Sequence, residues 1–124
     1  MERVQVKNKP VETNQSQILA DARAALDSTD RNLLADSVRS SLKWFAAQHP
    51  GRAVELRVPP FLVVQVLGGT THRRGTPPAV VEMAPEIWLG LLTGNRDWVD
   101  EIATGAITAS GERSDLSQYF PLSD

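Results

Sequence analysis

The most informative segment of this 124-residue chain is Trp98-Val-Asp-Glu-Ile-Ala-Thr-Gly-Ala-Ile-Thr-Ala-Ser-Gly-Glu112. It predicts a short amphipathic helix, a glycine stop, a strand and a second glycine turn. Asp97 precedes the helix, where its carboxylate can accept hydrogen bonds from the free N–H groups of the first turn. Gly105 can adopt the left-handed conformation that ends a helix. The strand is predicted over residues 106–110, where small and polar residues alternate with Ile107.

Two helices are predicted in the first half of the chain. Apolar residues recur at helical spacing over residues 15–26 and again over residues 31–48. Ser28-Thr29-Asp30 interrupts the first helix and offers a cap for the second. His49-Pro50-Gly51 ends the second helix, because proline cannot continue a helix and glycine relieves the turn. These signals predict two antiparallel helices joined by a short turn.

Three strands are predicted in the middle of the chain. Residues 53–58 alternate apolar and charged side chains, which is typical of a half-buried strand. Pro59-Pro60 interrupts this strand, because proline gives the sheet no N–H donor. Residues 61–67 are almost wholly apolar, which indicates a strand covered on both faces. Residues 80–83 form the third candidate strand.

A further helix is predicted to begin at Pro85 and to end at Gly94, since proline suits the first helical position and glycine the stop. In the next helix, Trp98 is expected to anchor the core. Arg96, between the two helices, is expected to be exposed and replaceable at little cost in stability.

The composition is typical of a soluble globular protein, with 41% hydrophobic and 23% charged residues and a formal net charge of −2. The absence of cysteine excludes disulfides, thiol nucleophiles and zinc–thiolate sites. No apolar run approaches the roughly 20 residues of a membrane helix, and the N-terminus lacks the apolar core of a signal peptide. The scattered lysines and arginines do not form a basic footprint for nucleic acid. We therefore expect a cytoplasmic protein with no membrane span and no nucleic-acid partner.

One domain is expected over residues 14–124, because the chain is too short for two. Residues 1–13 mix charge, valine and proline without a helical period, and they are predicted to be a flexible leader. The alternative is a brief edge strand through Val4 and Val6.

Four blocks of sequence stand out together in the second half of the chain. They are Arg52-Ala-Val-Glu-Leu-Arg-Val-Pro-Pro-Phe61, His72-Arg-Arg-Gly-Thr-Pro-Pro78, Val80-Val81-Glu82 and Ala109-Ser-Gly-Glu-Arg-Ser-Asp-Leu-Ser117. In this order they resemble the bacterial orthologues of the sterol carrier protein, over residues 37–122. The resemblance implies an α+β, sterol-carrier-like fold with a mixed five-stranded sheet and helices packed on one face.

The resemblance also implies a function. Relatives hold a sterol, a fatty acid or an acyl chain in an apolar cleft between sheet and helices, so we expect a small lipid-binding protein whose ligand is a fatty acid, a sterol or an acyl-coenzyme A. No catalytic residues are established for this bacterial branch. A similar domain is the non-catalytic part of mycothiol-dependent isomerases, whose metal and chemistry lie in a separate helical domain. The alternative function is an accessory protein–protein interaction module with a filled core.

The residue patterns predict no catalytic residues, no metal site and no cofactor. The only histidines, His49 and His72, lie on different predicted elements without a metal-binding spacing. The chain has no Gly-x-Ser-x-Gly elbow for a nucleophilic serine. Its glycines do not form a phosphate-binding loop. We therefore do not expect an enzyme.

Seven apolar residues are the candidates for a ligand cavity. Ligand pockets are mostly apolar with few polar anchors, which fits Phe61, Val63, Val81, Met83, Trp88, Leu91 and Leu92. The same residues would equally build a solid core. A continuous cavity of a few hundred Å3 opening near Trp44 or Trp88 would favour the ligand-binding interpretation.

Arg73 and Arg74 are the candidates for binding an acidic head group. Guanidinium groups form strong hydrogen bonds with carboxylates and with phosphates such as those of coenzyme A. Two other interpretations stay open. The loop could be shaped for its own packing, with one arginine paired to Glu82 or Glu112, or it could be a docking surface for a protein partner.

Overall fold

The computed structural model describes residues 2–4, 14–68 and 77–123 of the chain. Its elements are β1 (Glu2–Val4), α1 (Gln15–Leu26), α2 (Arg31–Gln48), β2 (Val54–Val58), β3 (Leu62–Val66), β4 (Ala79–Met83), α3 (Pro85–Thr93), α4 (Trp98–Thr104), β5 (Ile107–Ser110) and a 3-10 turn (Ser117–Tyr119). The α+β class is therefore confirmed. The predicted bounds of α1 and α2 agree with the structure, and those of β2 to β5 differ from it by no more than one residue at either end.

Local capping signals explain where the first two helices begin. The Asn14 side chain accepts a hydrogen bond of 2.8 Å from the Gln17 N–H at the start of α1. At the start of α2, the Asp30 carboxylate accepts from the N–H groups of Asn32 at 2.9 Å and Leu33 at 3.4 Å. These bonds satisfy N–H groups that have no partner inside the helix. The predicted cap in the α1–α2 turn is thus confirmed.

The two short helices end at the predicted glycines. Gly94 after α3 has a φ of 85°, and Gly105 after α4 has a φ of 81°. Both angles lie in the left-handed region, which glycine adopts without the steric cost of a side chain. Asp97 caps α4 by accepting a hydrogen bond of 3.3 Å from the Asp100 N–H. The helix–strand pair predicted at the end of the chain is confirmed.

The sheet is mixed, with the strand order β1-β3-β2-β4-β5. β2 and β3 are antiparallel, with Leu56 opposite Val64. β2 and β4 are parallel, with Leu56 opposite Val81. β4 and β5 are antiparallel, with Met83 opposite Ile107. The four strands from residue 54 onward form the body of the sheet.

At residues 2–4 the structure has β1, which corresponds to the brief edge strand given above as the alternative to a flexible leader. These residues pair in parallel with residues 62–64, and the pairing gives the outer edge of β3 hydrogen-bonding partners. The five-stranded sheet implied by the resemblance is thus a four-stranded sheet extended by one very short strand. The remainder of the predicted leader, residues 5–13, lies outside the described residues.

The helices pack on one face of the sheet. Alternate strand residues are buried in one apolar core with α1, α2 and α3, and these are Val54, Leu56, Val58, Leu62, Val64, Val66, Val81 and Met83. The intervening positions point to the other face, where Glu55, Arg57, Gln65 and Glu82 are polar and Val63 and Val80 are apolar. There, Arg57 contacts Glu55 at 3.3 Å and Glu82 at 4.0 Å. The helices α1, α2 and α3 therefore form a helical layer on the apolar side of the sheet.

Candidate functional site

The seven residues predicted to line a cavity are all buried. Six of them belong to one continuous core, and these are Phe61, Val81, Met83, Trp88, Leu91 and Leu92. Val63 stands apart, because it lies opposite Arg57 in the β2–β3 register, between the core residues Leu62 and Val64. Successive strand residues point to opposite faces. The structure therefore brings six of the seven together and separates Val63 from them.

Arg73 and Arg74 lie in residues 69–76, outside the described residues. Of the two carboxylates predicted to pair with one of them, Glu82 contacts Arg57 at 4.0 Å and Glu112 is exposed. The head-group role of this loop stays a prediction.

An aromatic cluster of Phe45, Trp88, Trp98 and Phe120 forms the centre of the helical layer. The Phe120 ring lies nearly parallel to the rings of Phe45 and Trp98, with centroids 6.1 Å away in each case. Trp88 meets Phe120 edge to face at 5.7 Å and Phe45 edge to face at 5.4 Å. Such geometries add to the stability that burial provides. The cluster joins α2, α3 and α4 to the end of the chain.

The C-terminal segment, residues 116–123, is attached to the helices at several points. Leu116 is fully buried, and the Leu122 N–H donates a hydrogen bond of 2.9 Å to the Leu92 carbonyl oxygen at the end of α3. The side-chain amide of Gln15, in the first turn of α1, donates to the Ser123 carbonyl oxygen. Sequence reasoning assigned this segment no role, although Tyr119-Phe120-Pro121-Leu122 is an apolar run in a polar tail. That run is the signal that could have identified it.

A groove of about 290 Å3, here called the C-terminal groove, opens between this segment and the end of α2. It is lined by Gln15, Trp44, Gln48, His49, Tyr119, Pro121, Leu122 and Ser123. Apolar surface comes from the indole, the proline and the leucine, whereas the two glutamine amides and the serine supply hydrogen-bonding groups. The groove borders the aromatic cluster, because Tyr119 meets Phe45 edge to face at 5.6 Å.

His49 brings both an aromatic ring and hydrogen-bonding nitrogens to the C-terminal groove. Its ring centroid lies 4.6 Å from that of Tyr119 and 4.6 Å from that of Phe45. Burial lowers the pKa of this imidazole below its ordinary value of 6.5, because it penalises the charged form. The ring is therefore neutral at pH 7, with one nitrogen able to donate a hydrogen bond and the other able to accept one. In the sequence, His49 was expected only to help end α2.

A second depression of about 170 Å3 lies at the turn between α1 and α2. Its lining is mixed and comprises Ala25, Leu26, Ser28, Thr29, Asp30, Arg31, Leu34 and Glu86. Three of these side chains are charged, namely Asp30, Arg31 and Glu86.

The described part of the chain shows neither a cluster of metal ligands nor a membrane-spanning helix. Over residues 14–68 and 77–123, no three histidine, aspartate or glutamate side chains converge to hold a metal ion. In the same part of the chain, no helix combines the length and the apolar character needed to cross a membrane.

Comparison with known proteins identifies one family. A family model described as bacterial SCP ortholog matches residues 30–122, from the cap of α2 to the C-terminal segment. This range includes α2, the four strands of the main sheet, α3, α4 and most of the C-terminal groove, but it leaves out α1. Among curated proteins, none matches the chain.

Proposed function

Since the chain belongs to the family of bacterial sterol carrier protein orthologues, we propose that it binds the acyl chain of a fatty acid or acyl thioester and catalyses no reaction of its own. The observation that carries the proposal is the C-terminal groove, which opens beside Trp44 and borders the aromatic cluster. Trp44 is one of the two residues near which the sequence analysis placed the opening of a ligand cavity. The protein would act in the cytoplasm, and its cysteine-free composition is consistent with that compartment.

The size and lining of the C-terminal groove favour an acyl chain over a sterol. Its volume of about 290 Å3 is at the lower end of the range for small-molecule sites. A narrow chain can enter a groove of this size, whereas a rigid sterol ring system needs more room. Trp44 and Leu122 offer apolar contacts, and the amide of Gln48 and the neutral imidazole of His49 offer hydrogen bonds to a carboxyl or thioester oxygen.

The proposal is tested by filling the groove from its rim. Gln48 is exposed at the end of α2 and lines the groove, so the variant Gln48→Trp adds bulk there without disturbing the core. Ser40→Trp is the matched control, because Ser40 is exposed on the same helix and does not line the groove. Binding of palmitate and palmitoyl-coenzyme A is measured by calorimetry and by the shift in melting temperature.

The wild type and Ser40→Trp are expected to bind equally, and Gln48→Trp at least tenfold more weakly. A ligand at a hundredfold excess over its Kd should stabilise the native state by about 2.7 kcal/mol. Equal binding by Gln48→Trp would place the ligand elsewhere. No binding by the wild type across fatty acids, sterols and acyl thioesters would reject ligand binding.

A second candidate function is an accessory protein–protein interaction module. The observation that favours it is the close packing of the predicted cavity residues, six of which lie together in the core. On α4, Val99 is 67% exposed and Ile102 is 38% exposed. They are three residues apart and so share one helix face. As an accessory module, the protein should lose a co-purifying partner in the variant Val99→Asp while its melting temperature stays unchanged.

A further inference from the structure

Two arginines of α2 converge on one aromatic ring. The guanidinium carbon of Arg31 lies 5.8 Å from the centroid of the Phe61 ring, and that of Arg39 lies 5.4 Å from it. Both distances fall within the ~6 Å reach of a cation–π contact. The two residues are separated by about 12 Å along the helix axis, so both side chains extend toward the same ring.

The ring itself is held in place. Phe61 is buried as part of the apolar core, in the turn that follows Pro59-Pro60. Its N–H donates a hydrogen bond of 3.0 Å to the Val58 carbonyl oxygen. Phe61 therefore provides a fixed surface against which two otherwise flexible side chains are ordered.

The two arginines at this ring form no ion pair with another described residue. Over residues 14–68 and 77–123, no carboxylate forms an ion pair with Arg31 or Arg39. Asp30 and Glu86 line one depression with Arg31 without forming an ion pair with it, and the Asp30 carboxylate accepts hydrogen bonds from the N–H groups of Asn32 and Leu33. Two guanidinium charges drawn to one ring repel each other. An anion bound between them would remove that repulsion.

The hydrogen-bonding groups at the ring also lack acceptors within the protein. A guanidinium carries five N–H donors in a planar fork, and no side-chain acceptor for those of Arg31 or Arg39 is found in the described part of the chain. Arginine forks match the geometry of phosphate oxygens, to which they can donate two parallel hydrogen bonds. A phosphate dianion balances two positive charges and has enough lone pairs for both forks.

We propose that Arg31, Arg39 and Phe61 form a binding site for a phosphate group, supplied either by free phosphate or by the head group of a phospholipid. The site is separate from the C-terminal groove, because Arg31 and Gln48 lie at opposite ends of α2, about 26 Å apart along the axis. The proposal therefore does not depend on the acyl ligand.

The test is a titration of the full chain with inorganic phosphate and, separately, with dihexanoyl phosphatidate, followed by calorimetry. Arg31→Gln and Arg39→Gln each remove one fork, and each is expected to weaken binding at least tenfold. Arg113→Gln is the matched control, since it removes the same charge near Gly68, at the end of β3 away from Phe61. Its affinity should stay within twofold of the wild type.

Two further variants separate the fork and the ring from the charge alone. Arg39→Lys keeps the charge and loses the fork, so it should weaken binding severalfold. Phe61→Leu keeps an apolar side chain and removes the ring, and it should act in the same direction.

Saturable binding of inorganic phosphate with this pattern of variants supports a free-phosphate site, and binding of phosphatidate alone supports a head-group site. If Arg113→Gln loses as much affinity for either ligand as Arg31→Gln and Arg39→Gln do, the proposal is overturned, since net charge alone would then explain the binding. The absence of saturable binding for both ligands would overturn it as well.

Discussion

The indole Nε1 of Trp88 donates a hydrogen bond of 2.9 Å to the hydroxyl oxygen of Ser41, which joins α3 to α2 inside the core. The Ser41 hydroxyl in turn donates to the Val38 carbonyl oxygen at 3.1 Å. Both side chains are buried, so water cannot accept a hydrogen bond from the indole N–H if the hydroxyl is removed. A buried tryptophan is thus held by one polar partner on the neighbouring helix.

Removing that partner should destabilise the protein. Ser41→Ala leaves the indole donor of Trp88 unsatisfied, and we expect the free energy of unfolding to fall by about 1–3 kcal/mol. Ser37→Ala is the matched control, because Ser37 is buried on the same helix but its hydroxyl oxygen has no hydrogen-bond partner in the described part of the chain. Removal of the Ser37 hydroxyl should leave the free energy of unfolding unchanged or raise it, since alanine also favours the helix. Urea denaturation measures both, and equal losses would contradict the assigned role of Ser41.

Trp98 should carry a large share of the stability. It is buried in the core at the start of α4 and stacks on Phe120 with centroids 6.1 Å apart. Trp98→Ala is expected to lower the free energy of unfolding by about 3–5 kcal/mol. The exposed neighbour Val99 is the control, and Val99→Ala should change it little. Near-equal melting temperatures for wild type and Trp98→Ala would refute this packing.

Arg96 is exposed as expected, but its contacts argue against the expectation that it is replaceable at little cost. Its guanidinium donates a hydrogen bond of 2.9 Å to the buried carboxylate of Glu101. Arg96→Ala would leave that carboxylate unpaired, which we expect to cost about 1–3 kcal/mol. The arginine side chain is 50% exposed, so solvent screening places the cost toward the lower end. Measured stability of Arg96→Ala equal to that of the wild type would restore the original expectation.

Gly90 and Arg96 should be energetically coupled. A Cβ atom on Gly90 would lie only 2.2 Å from the Arg96 Cγ, so Gly90→Ala must displace the arginine from its place over α3. Because Arg96→Ala removes the clashing Cγ, Gly90→Ala should cost less in that background than in the wild type. A double-mutant cycle by chemical denaturation measures the coupling. Additive effects would show that the arginine side chain moves aside freely.

Stability should fall in mild acid through His49. Burial lowers its pKa in the folded state, so below the unfolded value of about 6.5 the unfolded chain binds more protons. The stabilisation is complete above pH 6.5 and is lost as the pH falls toward and through the folded pKa. His49→Phe should lack this component when the free energy of unfolding is followed from pH 8 to pH 5. His72→Asn, which alters the other histidine, should retain it, and a fall unchanged in His49→Phe would contradict the assignment.

The sequence by itself determined the local elements of this protein. The starts of α2 and α4 follow from Asp30 and Asp97, and the ends of α3 and α4 follow from Gly94 and Gly105. These signals act within one turn of helix, so a short window of residues contains all of the relevant physics. The burial of Trp88 and Leu91 likewise follows from helical spacing.

Contacts between distant residues were decided only by the tertiary structure. Residues 2–4 pair with residues 62–64 of β3, which lie about half the chain away in sequence. The register that places Val63 opposite Arg57 puts it on the face opposite the other cavity candidates. The partner and the register of each pairing cannot be predicted from the neighbouring residues, because the hydrogen bonds that define the pairing join segments far apart in sequence. For the same reason, the sequence did not show that Arg96 contacts Glu101 and lies against Gly90. The periodicity of apolar residues predicts which side chains are buried, but only the tertiary packing determines which residues they contact.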